Sequence, residues 1–274
     1  MHFGMMKDNM KVMTFGCSFT KYHWPTWADI VLKQAEQYGH DTDNWGLPGV
    51  GNLFIAIKVQ EAIATGSLKP GDHAFICWST FMREDRMVNG TWINPGNIFN
   101  QSIYSQAFVE EFADLEFYTV RDCALINATR AALQAHGINQ THSIMNVYEV
   151  YHNGVHAAYN DSGRDQIKST IEMFGLKFDC KPVLAVLQQP EIGIPVKWSG
   201  ARYNDTHQMP KDMLRYVKEE MSTLPIPWLA SIHPNVENWV FEWQNKIDST
   251  PKPLLDKDFP LPMSKYNHIG MSRA

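Results

Sequence analysis

The chain has 274 residues, of which 44% are hydrophobic and 19% charged, and a net charge of −5. That is enough apolar chain to fill the core of a large α/β domain, and it is not the composition of a disordered segment. Lys and Arg form no stripe suited to a phosphate backbone, which excludes nucleic acid as an expected partner; no run nears the ~20 apolar residues that span a bilayer, and the N-terminus lacks a signal-peptide core, so a soluble chain without a membrane partner is expected.

The first apolar run, "KVMTF" from Lys11 to Phe15, is short and bounded by Gly16, which predicts a buried strand. Pro25 then suits a first helical turn, Trp27, Ile30, Val31 and Ala35 recur at helical spacing, and Gly39 supplies the stop. Polar "HDTDNW" leads into "GLPGVGN", Gly46 to Asn52, whose glycines and proline predict a tight loop with exposed backbone. A helix follows from about Leu53 to Thr65, stopped at Gly66. The turn Pro70-Gly71 introduces a second strand, His73 to Trp78, which closes on polar Ser79 and Thr80.

Residues 84–104, with Asn89-Gly90 and Pro95-Gly96, read as a long inserted loop of the kind that tends to carry function. From Ser105 to His136 the apolar positions keep helical spacing, with one break. Ser143 to Tyr148 and Pro182 to Leu187 read as two more strands, "KDMLRYVKEEM" as a helix, and residues 222–274 as an irregular C-terminal region rich in Pro and Trp. This alternation predicts a single domain over 1–274: a three-layer α/β/α fold of flavodoxin-like type with a mostly parallel central sheet of about five strands. Ligands of such sheets bind at the carboxyl ends of the strands, where Gly16–Ser18, Gly46–Asn52 and Ser79–Thr80 should converge.

Ser18 stands just after a strand and before a helix, where a hydroxyl is exposed and suits a nucleophile; an ordinary turn serine is the other reading. Adjacent Cys17 would be the better intrinsic nucleophile as a thiolate. Strand alternation turns the two to opposite sides, so one should face the site and the other the packing. Cys17, Cys77, Cys123 and Cys180 lie far apart without a C-x-x-C pair and read as reduced thiols. His152 and His156 have the i, i+4 spacing of a metal pair but lack the Glu of a zincin, so no metal and no cofactor is expected. Trp78, Trp92, Trp228, Trp239 and Trp243 fit core or loop anchors, or platforms for a sugar ring.

"FGCSFT" after a strand, "NWGLPGVGN" further on, "FICWST" closing the next strand, and an Asp and a His near the C-terminus together resemble the ordered blocks of the SGNH, or GDSL, hydrolase superfamily. The resemblance implies that Ser18 is the nucleophile, with Cys17 where that family usually has Asp. It also implies that Gly49, from Asn44-x-x-x-x-Gly49, is an oxyanion donor. The third block usually ends in Asn; here a hydroxyl of Ser79 or Thr80 takes the position. Strand ends reading W-S with an Arg soon after, here Arg83, resemble hydrolase-like proteins encoded by phages of marine bacteria.

The last block, D-x-x-H-P, is matched nearest by Asp258 to Pro262, which puts Leu261 where the base belongs. His268 with Asp258 is therefore the expected base and orienter, and His233, in "SIHPN", the alternative base. The implied function is a serine esterase acting on carboxylic esters of a small molecule or glycan, O-acetyl groups first. The competing reading is a catalytically impaired descendant serving as a binding or structural component, for example of a phage particle, with virion or homo-oligomer partners. Location would be cytoplasmic or, if phage-encoded, on the virion. A Cys17-based thiol enzyme is the third reading.

Overall fold

The computed structural model describes residues 9–98, 104–146, 161–187 and 209–249. Its centre is a parallel sheet of four strands, β1 (Lys11–Gly16), β2 (Asp41–Asn44), β3 (His73–Trp78) and β6 (Asn139–Ile144), in the order β2-β1-β3-β6. The two inner strands are apolar on both faces because both are covered: Val12, Met13 and Phe15 in β1 and Ala74, Phe75, Ile76 and Trp78 in β3 are buried. The outer strands, "DTDN" and "NQTHSI", are polar, each pairing with one neighbour among the described residues.

Register and alternation assign the helices to faces. Phe15 lies beside Ile76 and meets the Trp45 ring at 5.9 Å, with Lys58 of α2 (Asn52–Ala64) 5.8 Å above that ring. Thr14 lies beside Phe75, whose ring is 6.0 Å from Trp228; the Trp228 carbonyl accepts a hydrogen bond from Gln34 of α1 (Trp27–Gln37). Neighbouring residues of a strand point to opposite faces, so α2 covers one face and α1 the other. Helix α4 (Leu115–Ala135) joins α2, its Arg130 carbonyl accepting from Gln140 of β6. Helices α7 (Pro210–Glu219) and α8 (Pro234–Ser249) join α1. The architecture is α/β with a parallel central sheet between helical layers.

Several elements differ from the sequence reading. The expected loop at 84–104 opens with an antiparallel hairpin, β4 (Arg83–Val88) and β5 (Thr91–Asn97), turned by Asn89 and Gly90 at φ of 50° and 77°. Both angles lie in the left-handed region that a two-residue type I′ turn demands. Residues 183–187, expected as a strand, form the short helix α6 (Val183–Leu187), begun by Pro182, whose carbonyl accepts from Ala185 and Val186. A short apolar run has no period that separates strand from buried helix. Strand β6 starts four residues before the expected Ser143. The C-terminal region contains α8, with Val236, Val240 and Ile247 buried on one stripe. The break expected within 105–136 separates α3 (Gln106–Phe112) from α4, and α5 (Asp161–Met173) packs on α4.

Candidate active site

The carboxyl ends of the strands meet at one edge because the register is nearly level: Thr14 lies beside Asn44, Gly16 beside Cys77, and Trp78 beside Ile144. Past β1 the chain turns sharply, with Thr20 N–H and Lys21 N–H both donating to the Cys17 carbonyl at 2.9 and 3.1 Å, which sets Ser18 on the first corner of the turn. The turn is possible because position 16 is glycine. A Cβ there would stand 2.0 Å from Thr20 Oγ1 and 2.7 Å from the Cys77 carbonyl.

Ser18 and Cys17 part as alternation requires. Cys17 is wholly buried and packs its sulfur 3.8 Å from Met145 Sδ, while Ser18 keeps a 7% exposure, and its hydroxyl makes no hydrogen bond among the described residues. Burial pushes the Cys77 thiol well above its ordinary value, and raises Cys123 and Cys180 to about 12. Cys17 thus belongs to the core, and these three thiols are protonated and inert at neutral pH.

The second loop is stitched to the first. Trp45 N–H donates to the Thr14 carbonyl at 2.8 Å and Leu47 N–H to the Gly16 carbonyl at 3.0 Å. Asn44 works as a clamp: its amide donates to the Thr20 carbonyl and to Asp29 Oδ1, and its Oδ1 accepts from Gly46 N–H. Burial raises the Asp29 carboxyl, against the hydrogen bonds from Thr26 and Asn44 that favour its ionised form. Pro48-Gly49 follows with Gly49 at φ +83°, the left-handed value that a type II turn requires of its third residue. The Gly46–Gly51 loop therefore lies directly against the Ser18 turn.

The third strand end is held by a residue to which the sequence reading gave no role of its own. Asn52, the first residue of α2 and fully buried, accepts from Ser79 N–H at 2.8 Å and donates to the Ser79 carbonyl at 3.3 Å and to Asp122 Oδ2 at 2.8 Å. Asp122 Oδ1 accepts from Arg121 at 2.8 Å, and Arg121 also pairs with Glu84 at 3.4 Å and donates to the Arg83 carbonyl. Burial lifts the Asp122 carboxyl to about 6, opposed by Arg121 and the Asn52 amide. The Ser79 hydroxyl is buried and unpartnered among the described residues, and Thr80 is buried beside it.

Gly51 at the helix cap has no side chain to receive the first N–H groups of α2. Asp85, from the hairpin, supplies the acceptors: Oδ1 takes Gly51 N–H at 2.7 Å and Oδ2 takes Phe54 N–H at 3.0 Å. A Cβ on Gly51 would stand 2.7 Å from Arg83 Cβ, so glycine there lets the hairpin close on the loop. Asp85 and Asp122 escaped the sequence reading because their partners lie 34 and 70 positions away.

Of the expected bases, His233 lies within the described residues. Its N–H donates to Gln34 Oε1 in the second half of α1, beside Trp228 and Ser231, and its Nδ1 accepts from Asn235 N–H. That is the amino-end side of the sheet, away from the Ser18 turn. Helix α8 then runs roughly 24 Å, at ~1.5 Å per residue, to the opposite edge. There Ile247 and Trp243 of α8 pack with Trp24 and Tyr22 of the loop that follows Ser18. Asp258, His268, His152 and His156 lie outside the described residues. Among the described residues no His, Cys, Asp or Glu side chains gather as a metal site, and no helix is long and apolar enough to cross a membrane.

No protein-family model matches the chain, and neither does any curated protein sequence. Solved structures do. A Bacillus subtilis protein aligns over 66% of this chain at 13% identity and a TM-score of 0.37, with the chain spanning 45% of that protein's length. A member of the lipolytic G-D-S-L family from Veillonella parvula aligns over 75% of this chain and 92% of its own, at 13% identity and a TM-score of 0.40. A catalytic mutant of an acetylxylan esterase from Geobacillus stearothermophilus aligns over 76% and 92%, at 15% identity and a TM-score of 0.43. The α/β architecture rests on this chain's own strand order, and the chemistry has to be argued from its own side chains.

Proposed function

We propose that the chain is a serine ester hydrolase of SGNH type that removes O-acyl groups, acetyl first, from a glycan. The observation that carries this reading is the convergence of the Ser18 turn, the Gly46–Gly51 loop and Ser79 at the carboxyl edge of the sheet. The Ser18 hydroxyl attacks the acyl carbonyl while a histidine takes its proton. Gly49 N–H and the Ser79 hydroxyl donate to the oxyanion. Collapse expels the sugar hydroxyl, protonated by the same histidine, and water then releases the acid from the acyl-serine.

The base is assigned to His268 with Asp258 as orienter. Support comes from the path of the chain: α8 ends at Ser249, and its last turns pack on Trp24 in the loop that follows Ser18. His233 lies at the far end of α1, bonded to Gln34, and is not used.

Acetate release from O-acetylated xylan and from p-nitrophenyl acetate tests the reading. Wild type is expected to release acetate. Ser18→Ala and His268→Ala should lose about 10³-fold or more in rate, and His233→Ala should keep the wild-type rate. Equal rates for wild type and Ser18→Ala would remove the nucleophile from the account, and no release by any form would favour the non-catalytic reading.

A further inference from the structure

The candidate site holds a buried polar assembly beneath the third strand end. Asn52 is fully buried on α2, Asp122 fully buried on α4, and they meet at 2.8 Å below the third strand end. Burying an amide and a carboxyl is costly unless every polar atom is satisfied, and here the partners account for every direction. The Asn52 amide is fixed in orientation, because its oxygen must face Ser79 N–H and its nitrogen must face the Ser79 carbonyl and Asp122. Both Asp122 oxygens are acceptors in use, one for Asn52 and one for Arg121. The one buried hydroxyl of the assembly left without a partner among the described residues belongs to Ser79. Asn52 grips the Ser79 backbone at both N–H and carbonyl, so the backbone of that residue cannot rotate, and the only free donor it retains is the side-chain O–H.

We propose that Asn52 and Asp122 are positioning residues that hold Ser79 as the second oxyanion donor. This rests on the esterase reading above and deepens it. An Asn side chain at the strand end would carry its own donor out to the oxyanion; a serine hydroxyl is shorter and free to rotate, so it gains from a backbone locked in place. Asn52 supplies the lock, and Asp122, itself held by Arg121, keeps the Asn52 amide from flipping. Asparagine at 122 has one oxygen instead of two and must abandon either Asn52 or Arg121.

The test is a double-mutant cycle on the full chain, read as the second-order rate of Ser18 phosphonylation by a fluorophosphonate probe, with folding checked by circular dichroism. Ser79→Ala is expected to slow the reaction about 10²- to 10³-fold, the usual loss of one oxyanion donor. Asp122→Asn should slow it about tenfold in the wild-type background and leave it unchanged in the Ser79→Ala background, because its effect runs through that hydroxyl. If Asp122→Asn does not fold, Asn52→Ser takes its place in the same cycle. Equal slowing by Asp122→Asn in both backgrounds, or a Ser79→Ala rate like wild type, overturns the positioning role while leaving Ser18 as nucleophile. A wild-type protein that is not labelled at Ser18 overturns the esterase reading and this proposal with it.

Discussion

His142 and His73 show how single residues here are spent on the core and not on chemistry. Trp78 Nε1–H donates to His142 Nδ1 at 2.9 Å, which places the imidazole proton on Nε2, facing Gln140 Oε1 at 2.7 Å. Burial drives His142 down to about 3 and His73 to about 4 from an ordinary 6.5. Between those values and 6.5 the unfolded chain binds protons that the folded protein refuses, so the stability they confer is complete above about pH 6.5 and is lost as pH falls. Each contributes roughly 1.4 kcal/mol per pH unit within its window. Asp122, raised to about 6, acts with the opposite sign between its unfolded value near 3.8 and 6, since its folded form holds the extra proton. Asp29, Asp85 and Asp212, raised by burial, act in the same sense as Asp122, so the test is a difference: in urea unfolding free energies between pH 4 and 6.5, His142→Gln should lose less stability toward acid than wild type, by about 1.4 kcal/mol per unit. An unchanged slope in His142→Gln would mean that this imidazole titrates normally.

Among the elements, the β4–β5 hairpin has the widest reach. Through Asp85 it caps α2, and through Arg83 it crowds the residue that begins that cap. Asp85→Ala leaves the Gly51 and Phe54 N–H groups without acceptors at about 1–3 kcal/mol each, less the relief of burying one carboxylate fewer. A net loss of about 2–4 kcal/mol is expected in denaturant unfolding, with Asp85→Asn, which keeps one acceptor oxygen, losing about half. A stability like wild type for Asp85→Ala would show that α2 is capped without the hairpin.

The same hairpin marks what the sequence does and does not reveal. Its turn was on display as Asn89-Gly90, yet flanking residues such as Glu84, Asp85 and Arg86 do not alternate as a strand on a core does, since they serve ion pairs and caps. Strands β1 and β3 were legible because both faces are covered, whereas "DTDN" and "NQTHSI" were obscured or misplaced by the polar side chains of edge strands. The positions of Ser18, Gly49 and Ser79 at a turn, a loop and a strand end could be read from local punctuation. Asn52, Asp85 and Asp122 could not, because their roles exist only once distant segments are brought together.

At the scale of the whole molecule, the level sheet register and the glycine at position 16 bring three loops to one edge, and α8 carries the chain back to that edge from the side where His233 is held. On the proposed reading Ser18, at the turn this edge holds, is the nucleophile and Ser79 an oxyanion donor. Intact-mass measurement of the native protein after treatment with a fluorophosphonate, followed by peptide mapping, tests this most directly. A single adduct on Ser18, absent from Ser18→Ala and from unfolded protein, is the predicted result; no adduct on the native chain, or one that persists in Ser18→Ala, would contradict it.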